Sequence, residues 1–258
     1  MSQLDKLKYI GLLSTGYNVV DLDYAKQRDI PVCNIPNYST KSVAQLTVAL
    51  ILEIAMGVGK HSQSVSQGDW TSCKDFCYTV QSITELDGKT IGLVGYGAIA
   101  KEVAKISNAL GMNVIAYRRT PCSGDGGAKI VALDELYSKS DIVSMHCPMN
   151  KDSDKMIDEK AIGKMKDGVI IINTARGGVV DEIAVRSGLD SGKIAGYGAD
   201  VLSSEPPQKD NALQNAPNCY ITPHIAWASR EAKSRLMRIA IDNVKGFLNG
   251  NVKNCVNR

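Results

Sequence analysis

The chain has 258 residues, 44% of them hydrophobic, and a formal charge of +3. That is enough apolar material for a sizeable core in one large or two modest domains, and the small, mixed charge excludes recognition of nucleic acid or a membrane surface by bulk electrostatics. The opening MSQLDKLKYIG lacks a signal-type apolar run, and the longest apolar stretch, VAQLTVALILEIAMGVG from Val43, is interrupted by Gln45, Glu53 and two glycines, so it reads as a buried helix.

In chain order, KYIGLL reads as a strand, STGYN as a turn, DLDYAKQRDI as a short helix and PVCNIPNYS as the start of a second unit. An apolar helix is expected over residues 41–59, linking two lobes, followed by a polar segment HSQSVSQGDWTSCKDFCYTVQS of loop character in which His61 reads as structural. From Lys89 onward strands and helices alternate: the strand TIGLVGYG, the helix AIAKEVAKISNALG, then the strands NVIAYRR, DIVSMHCP, GVIIINTA, IAGYGADV and NCYITPH. These six strands are nearly continuously apolar, as they must be when helices cover both faces, so the class is α/β with a doubly wound parallel sheet. SREAKSRLMRIAIDNVKGFLNG closes the chain as an amphipathic helix, with Leu236, Ile239, Ala240, Val244 and Phe247 expected to pack inward. The seven cysteines (Cys33, Cys73, Cys77, Cys122, Cys147, Cys219 and Cys255) are odd in number and lack paired CxxC spacing. Reduced thiols in a cytoplasmic protein are expected, with no metal site.

GYGAIA follows the strand IGLV and opens a helix, the context in which a glycine fingerprint signals a dinucleotide. Gly95 permits the tight turn, Gly97 lets backbone N–H groups approach a pyrophosphate at the positive end of the helix, and Ala100 is small enough for helix–strand packing. The second strand then ends in VIAYRRT, where a carboxylate would hold the ribose of NAD and repel the extra phosphate of NADP. Arg118 and Arg119, backed by the Thr120 hydroxyl, invert that preference: two guanidiniums offer bidentate donors to a phosphate, so NADP(H) is favoured with NAD(H) still possible.

Three later stretches carry polar residues at strand ends: INTARGGVVDE with Arg176, GADVLSSEPP with Glu205 and ITPHIAWAS with His224. A histidine oriented by a carboxylate can deliver a proton to a carbonyl oxygen as hydride arrives, while an arginine grips a carboxylate and polarises the carbonyl. The chain resembles the D-isomer-specific 2-hydroxyacid dehydrogenases at these segments, in that order and over nearly its whole length. The resemblance implies Arg176 as substrate binder and electrophile, Glu205 as the carboxylate that favours protonated His224, and His224 as the general acid for reduction or base for oxidation. It implies that Thr15 and Gly16 present N–H groups to the substrate carboxylate. By the same carry-over Ala98 and Ile99 contact the pyrophosphate, His146, Cys147 and Pro148 line the adenine and ribose side, Thr174 and Ala175 lie along the cofactor, and Asp200 holds the nicotinamide carboxamide.

HIAWAS with Trp227, followed by EAKSRLMRIAIDN, is most similar to the glycerate dehydrogenases that reduce hydroxypyruvate and often glyoxylate, so Trp227 joins the substrate-binding set. The implied organisation is a Rossmann cofactor domain over residues 42–225, a truncated flavodoxin-like substrate domain over residues 1–41, and a C-terminal helix in 226–258 that returns to the substrate domain. A strand, a helix and a further strand and loop that family members carry before LDKLKYIG are missing, which leads to an expectation of intact cofactor binding with weakened or absent turnover. The resemblance further implies a homodimer through the helix over residues 43–57. The competing readings are a nucleotide-sensing protein and a catalytically silent remnant of the same fold.

Overall fold

Strand β1 (Ile10–Gly11) pairs in parallel with β2 (Val32–Cys33), and the connection between them is helix α1 (Leu22–Gln27), whose N-terminus is capped by the Asp21 side chain accepting the Tyr24 N–H. The computed structural model describes residues 1–120 and 127–258, so Cys122 lies outside the described residues. They divide into two compact units, Met1–Ser42 with Trp227–Arg258, and Val43–Ala226.

The larger unit begins with α2 (Thr40–Met56), whose first turn holds the division between the units. Gly57, at φ 60°, stops this helix and α3 (Val58–Ser66) starts anew, with the Glu53 carboxylate accepting the Gly59 N–H at 3.1 Å. The single helix expected over residues 41–59 is therefore two. The polar segment expected as loop is helical through α3 and the short α4 (Asp69–Ser72). Serine and glutamine give this stretch no apolar period, so its order comes from polar contacts: Ser64 Oγ meets Asp69 at 2.5 Å and Tyr78 at 2.8 Å. His61 belongs to the same scaffold, its Nδ1 2.8 Å from the Gly57 carbonyl and its Nε2 accepting the Val80 N–H at 3.2 Å.

The sheet follows with β3 (Thr90–Val94), α5 (Ala98–Ala109), β4 (Asn113–Tyr117), β5 (Lys129–Ile130), α6 (Leu133–Lys139), β6 (Ile142–Met145), α7 (Glu159–Lys164), β7 (Val169–Asn173), α8 (Glu182–Asp190), β8 (Ile194–Ala199) and β9 (Cys219–Ile221). The strand order is β5-β4-β3-β6-β7-β8-β9 and every pair is parallel. The six strands read from the sequence are joined by β5, which pairs only with Ile115 and Ala116 and is too short for periodicity to reveal. Alternation splits β7 between two cores: Val169 and Ile171 enter one, Ile170 and Ile172 the other. The order reverses between β3 and β6, so the crevice where ligands collect in this architecture opens at the carboxyl ends of those strands.

The smaller unit is completed by α9 (Arg230–Leu248), capped by the Ser229 hydroxyl, which accepts the Ala232 N–H. Ala232 and Leu236 pack with Ile35 and Tyr38, and Trp227, Ile239 and Ala240 lie against them. Val244, expected inside, is 44% exposed. Asn243 takes the buried position instead, because its amide donates to the Asn34 carbonyl at 2.9 Å and accepts from Asn254 at 2.8 Å.

Candidate active site

Because all strands are parallel, the residues that follow β3, β4, β6, β7, β8 and β9 share one end of the sheet. At β3, Gly95 adopts φ 90° and donates its N–H to the Tyr117 carbonyl at 2.8 Å. A Cβ there would lie 2.8 Å from the backbone of His146 and Cys147, so the turn after β3 passes too close to the end of β6 for any side chain. Gly97 faces open space, with no atom within 4 Å of a Cβ placed on it, immediately before the first turn of α5. Ala98 is exposed and Ile99 half-buried at that turn, while Ala100 is fully buried against the sheet. Uncommitted N–H groups at the start of a helix and an unobstructed approach suit a pyrophosphate, so this turn fits a nicotinamide dinucleotide.

Val94 and Tyr117 are register partners, so Arg118 stands one step beyond the strand, beside the glycine turn. Arg118 is half-buried and Arg119 exposed, and the Arg119 guanidinium donates to Asp152 at 2.7 Å. Thr120 is exposed at the edge of the described residues. At the end of β6, His146 Nε2 lies 2.9 Å from Ser144 Oγ, and burial holds the imidazole at about 4, well below its ordinary range. A neutral ring of that kind is a packing or ligand-lining group, not a proton donor at neutral pH. Burial pushes the Cys147 thiol up, which keeps it protonated, and Pro148 beside it is exposed.

Behind β7, the buried Asn173 side chain donates to the Arg176 carbonyl at 2.9 Å and accepts the Ala175 N–H at 3.1 Å, shaping the turn that presents Arg176 to solvent. Thr174 is buried, its hydroxyl 2.8 Å from Thr47, which itself donates to the Val43 carbonyl. Its side chain is thus committed to α2.

Glu205 and His224 are brought together: His224 Nδ1 lies 2.6 Å from Glu205 Oε2, while Glu205 Oε1 accepts the Leu202 N–H at 3.0 Å. This fixes Nδ1 as the ring nitrogen turned to the carboxylate and leaves Nε2 as the atom that faces outward. His224 holds φ 53°, a left-handed conformation that costs a non-glycine residue energy and persists where the surroundings impose it. Asp200 imposes it. Its carbonyl accepts the His224 N–H at 2.9 Å, and its carboxylate, 1% exposed, accepts from Thr222 Oγ1, Ile225 N–H and Ala226 N–H at 2.6 to 2.8 Å.

Two supporting residues escaped the reading of the sequence. Glu182 accepts the Ser203 N–H and the Asn211 amide, both at 2.7 Å, and so clamps the loop that carries Glu205. Gly177 lets the chain after Arg176 run against the same loop, since a Cβ there would overlap the backbone of Leu202 and Ser203. The doubled glycine of ARGG was the available signal for the second. No sequence signal separated Glu182 from an ordinary first-turn acid of α8.

In the smaller unit, the Thr15 hydroxyl donates to the Ile35 carbonyl at 2.9 Å, the Asn34 amide donates to the Thr15 carbonyl at 2.8 Å, and Ser14 Oγ donates to the Gly16 carbonyl at 2.6 Å. Residues 14–16 are therefore a built loop. Trp227 is half-buried against Ile35 and Tyr38, with the Lys233 ammonium 5.7 Å from its ring centre.

Residues 48–226 match the family described as D-isomer specific 2-hydroxyacid dehydrogenase, NAD binding domain. The chain is 46% identical over 254 residues to a hydroxypyruvate reductase of Blautia hydrogenotrophica, covering 98% of this chain and 79% of that one. It is 41% identical over 258 residues to a glycerate dehydrogenase of Methylorubrum extorquens, covering 99% and 81%. Among solved structures, the TT0316 protein of Thermus thermophilus superposes with a TM-score of 0.92 at 35% identity, covering 99% of this chain and 81% of that one. The chain spans about four-fifths of the length of these relatives. With the glycine turn, the parallel sheet and the matched segments in place, the chain belongs to the D-isomer specific 2-hydroxyacid dehydrogenases.

Proposed function

We propose that this protein reduces a small polar 2-keto acid of the hydroxypyruvate or glyoxylate class to the D-2-hydroxy acid, with NADPH favoured over NADH. The observation that carries the reading is the 2.6 Å pairing of His224 Nδ1 with Glu205, set at the same sheet end as the glycine turn. When bound, the reduced nicotinamide supplies the hydride to the carbonyl carbon. His224 Nε2 delivers the proton to the carbonyl oxygen, and Glu205 offsets the charge of the imidazolium that precedes that transfer. Arg176 grips the substrate carboxylate and polarises the carbonyl. Thr15 and Gly16 are assigned to the substrate carboxylate by their N–H groups, and Trp227 to the substrate side chain.

For the cofactor, Gly95, Gly97, Ala98 and Ile99 take the pyrophosphate, and Arg118, Arg119 and Thr120 take the extra phosphate of NADPH. His146, Cys147 and Pro148 line the adenine side, and Thr174, Ala175 and Asp200 the nicotinamide side. The names of the relatives support the substrate class: hydroxypyruvate reductase and glycerate dehydrogenase. A homodimer is part of the same reading, favoured by exposed Leu52, Met56, Val58 and Val65 on α2 and α3, and a cytoplasmic setting is carried with it.

The test follows loss of reduced-nicotinamide absorbance with hydroxypyruvate, glyoxylate and pyruvate, each with NADPH and with NADH. Turnover fastest with hydroxypyruvate or glyoxylate and NADPH supports the proposal. Cofactor binding with no turnover on any of the three overturns it in favour of a nucleotide-binding protein of the same fold.

A further inference from the structure

Residues 251–258 follow α9 and lie alongside β2. The Val256 N–H donates to the Val32 carbonyl at 2.8 Å and the Asn34 N–H donates to the Asn254 carbonyl at 3.1 Å, so Cys33 and Cys255 face each other as an antiparallel bridge. Hydrogen bonds from the flanking residues, and none between the pair itself, define the non-hydrogen-bonded type of antiparallel pair. Its Cα atoms are about 4.5 Å apart, inside the roughly 4.4–6.8 Å window that a disulfide spans. Both cysteines are free. Cys33 is fully buried, whereas Cys255 is partly exposed and its thiol donates to Asn257 at 3.2 Å.

We propose that Cys33 and Cys255 are a redox-modification site, closing reversibly into a cross-strand disulfide that locks the C-terminal tail to β2. The oxidant is a small disulfide such as oxidised glutathione. The Cys255 thiolate attacks one glutathione sulfur, the glutathione S–S bond breaks, and a first glutathione thiolate leaves and takes up the Cys255 proton. Cys33 then gives up its proton and attacks the Cys255 sulfur. The mixed S–S bond breaks, the Cys33–Cys255 bond forms, and the second glutathione leaves as its thiol. Two cysteine thiols are oxidised and one disulfide is reduced to two thiols, so electrons and protons balance.

The division of roles follows from the surroundings. Burial pushes the Cys33 thiol up, opposed by a hydrogen bond from Tyr9, so Cys33 is the resolving partner and the accessible Cys255 meets the oxidant first. The lock sits one residue from Asn34, whose amide holds the Thr15 carbonyl and whose backbone carbonyl receives Asn243. Closing it therefore stiffens the β2 edge from which the loop of residues 14–16 hangs.

The experiment treats the native protein with oxidised glutathione or with dithiothreitol, alkylates the remaining thiols and maps unreduced peptides by mass spectrometry. The expected result is a peptide joining Cys33 to Cys255, lost on reduction, with a higher thermal midpoint for the oxidised protein. In Cys255→Ser the linked peptide and the rise in midpoint both disappear. Glutathione that stays on Cys255 while Cys33 remains alkylatable overturns the proposal, as does a link that forms only in denaturant.

Discussion

His224 and Arg119 stand at the same end of one sheet, behind β9 and β4, and are held by different means. The histidine has its backbone N–H on the Asp200 carbonyl, its neighbours on the Asp200 carboxylate and its ring on Glu205, which the Leu202 N–H holds in turn. The arginine meets Asp152 across a pair whose side chains are 74% and 70% exposed. On the proposed reading His224 delivers a proton along one line to a reacting atom, a task that suits a pair fixed by backbone on several sides. On the same reading the arginines meet a phosphate dianion, which attracts from many directions, so long, solvated side chains serve there.

The largest test of this contrast is His224→Ala. Losing a positioned general acid should lower kcat by about 10²–10⁴-fold, with cofactor affinity by fluorescence titration nearly unchanged. Retained turnover would move the proton to another group. Replacing Arg118 by Asp and Arg119 by Ala comes next. Charge-assisted hydrogen bonds of about 1.5–3 kcal/mol correspond to roughly a 10- to 100-fold fall in the NADPH over NADH ratio of kcat/KM, and an unchanged ratio would return the pair to ordinary surface charge.

Gly177→Ala probes the brace without touching a reacting group. The added methyl meets the Leu202–Ser203 backbone, and the displaced loop takes Glu205 out of reach of His224. We expect kcat to fall about tenfold or more, in keeping with the sensitivity of catalysis to misplacements near 1 Å, while the cofactor Kd holds. A fall in cofactor affinity alone would show that the loop does not brace the pair. Asp152→Asn should have the smallest effect. An exposed ion pair is worth about 0.2–1 kcal/mol, so freeing Arg119 should raise the NADPH preference by a factor of about 1.4 to 5, and a lowered preference would mean that Asp152 positions Arg119 for the phosphate.

Acid stability sharpens the same picture at β6. His146 titrates at about 4 in the fold against 6.5 in the open chain. Between those values the unfolded state binds the extra proton, so this group's contribution is present above pH 6.5 and is lost as pH falls towards 4. Chemical denaturation across that window should show a shallower loss for His146→Gln than for the parent chain. Equal slopes would assign the acid sensitivity elsewhere.

Much of this was legible along the chain. The apolar strands, the glycine turn and the segments holding Arg176, Glu205 and His224 are local patterns whose meaning depends on neighbours in sequence. Strand order and parallel pairing then carry all of them to one end of the sheet. The break at Gly57 was less legible, because an apolar run predicts a helix without marking where a left-handed residue interrupts it. The polar α3 was hidden for the opposite reason: its stability comes from the contacts of Ser64, Asp69 and Tyr78 rather than from an apolar face.

The sequence by itself determined the fold class and the candidate residues, since side-chain period and a glycine between strand and helix act over a few bonds. Tertiary structure alone decided which groups meet. Asp152 reaches Arg119, Glu182 clamps the Glu205 loop, Asp200 holds His224 at positive φ, and Cys255 returns to face Cys33. Each is a contact between residues far apart in the chain, and its energy exists only once the sheet and the tail have brought both partners within reach.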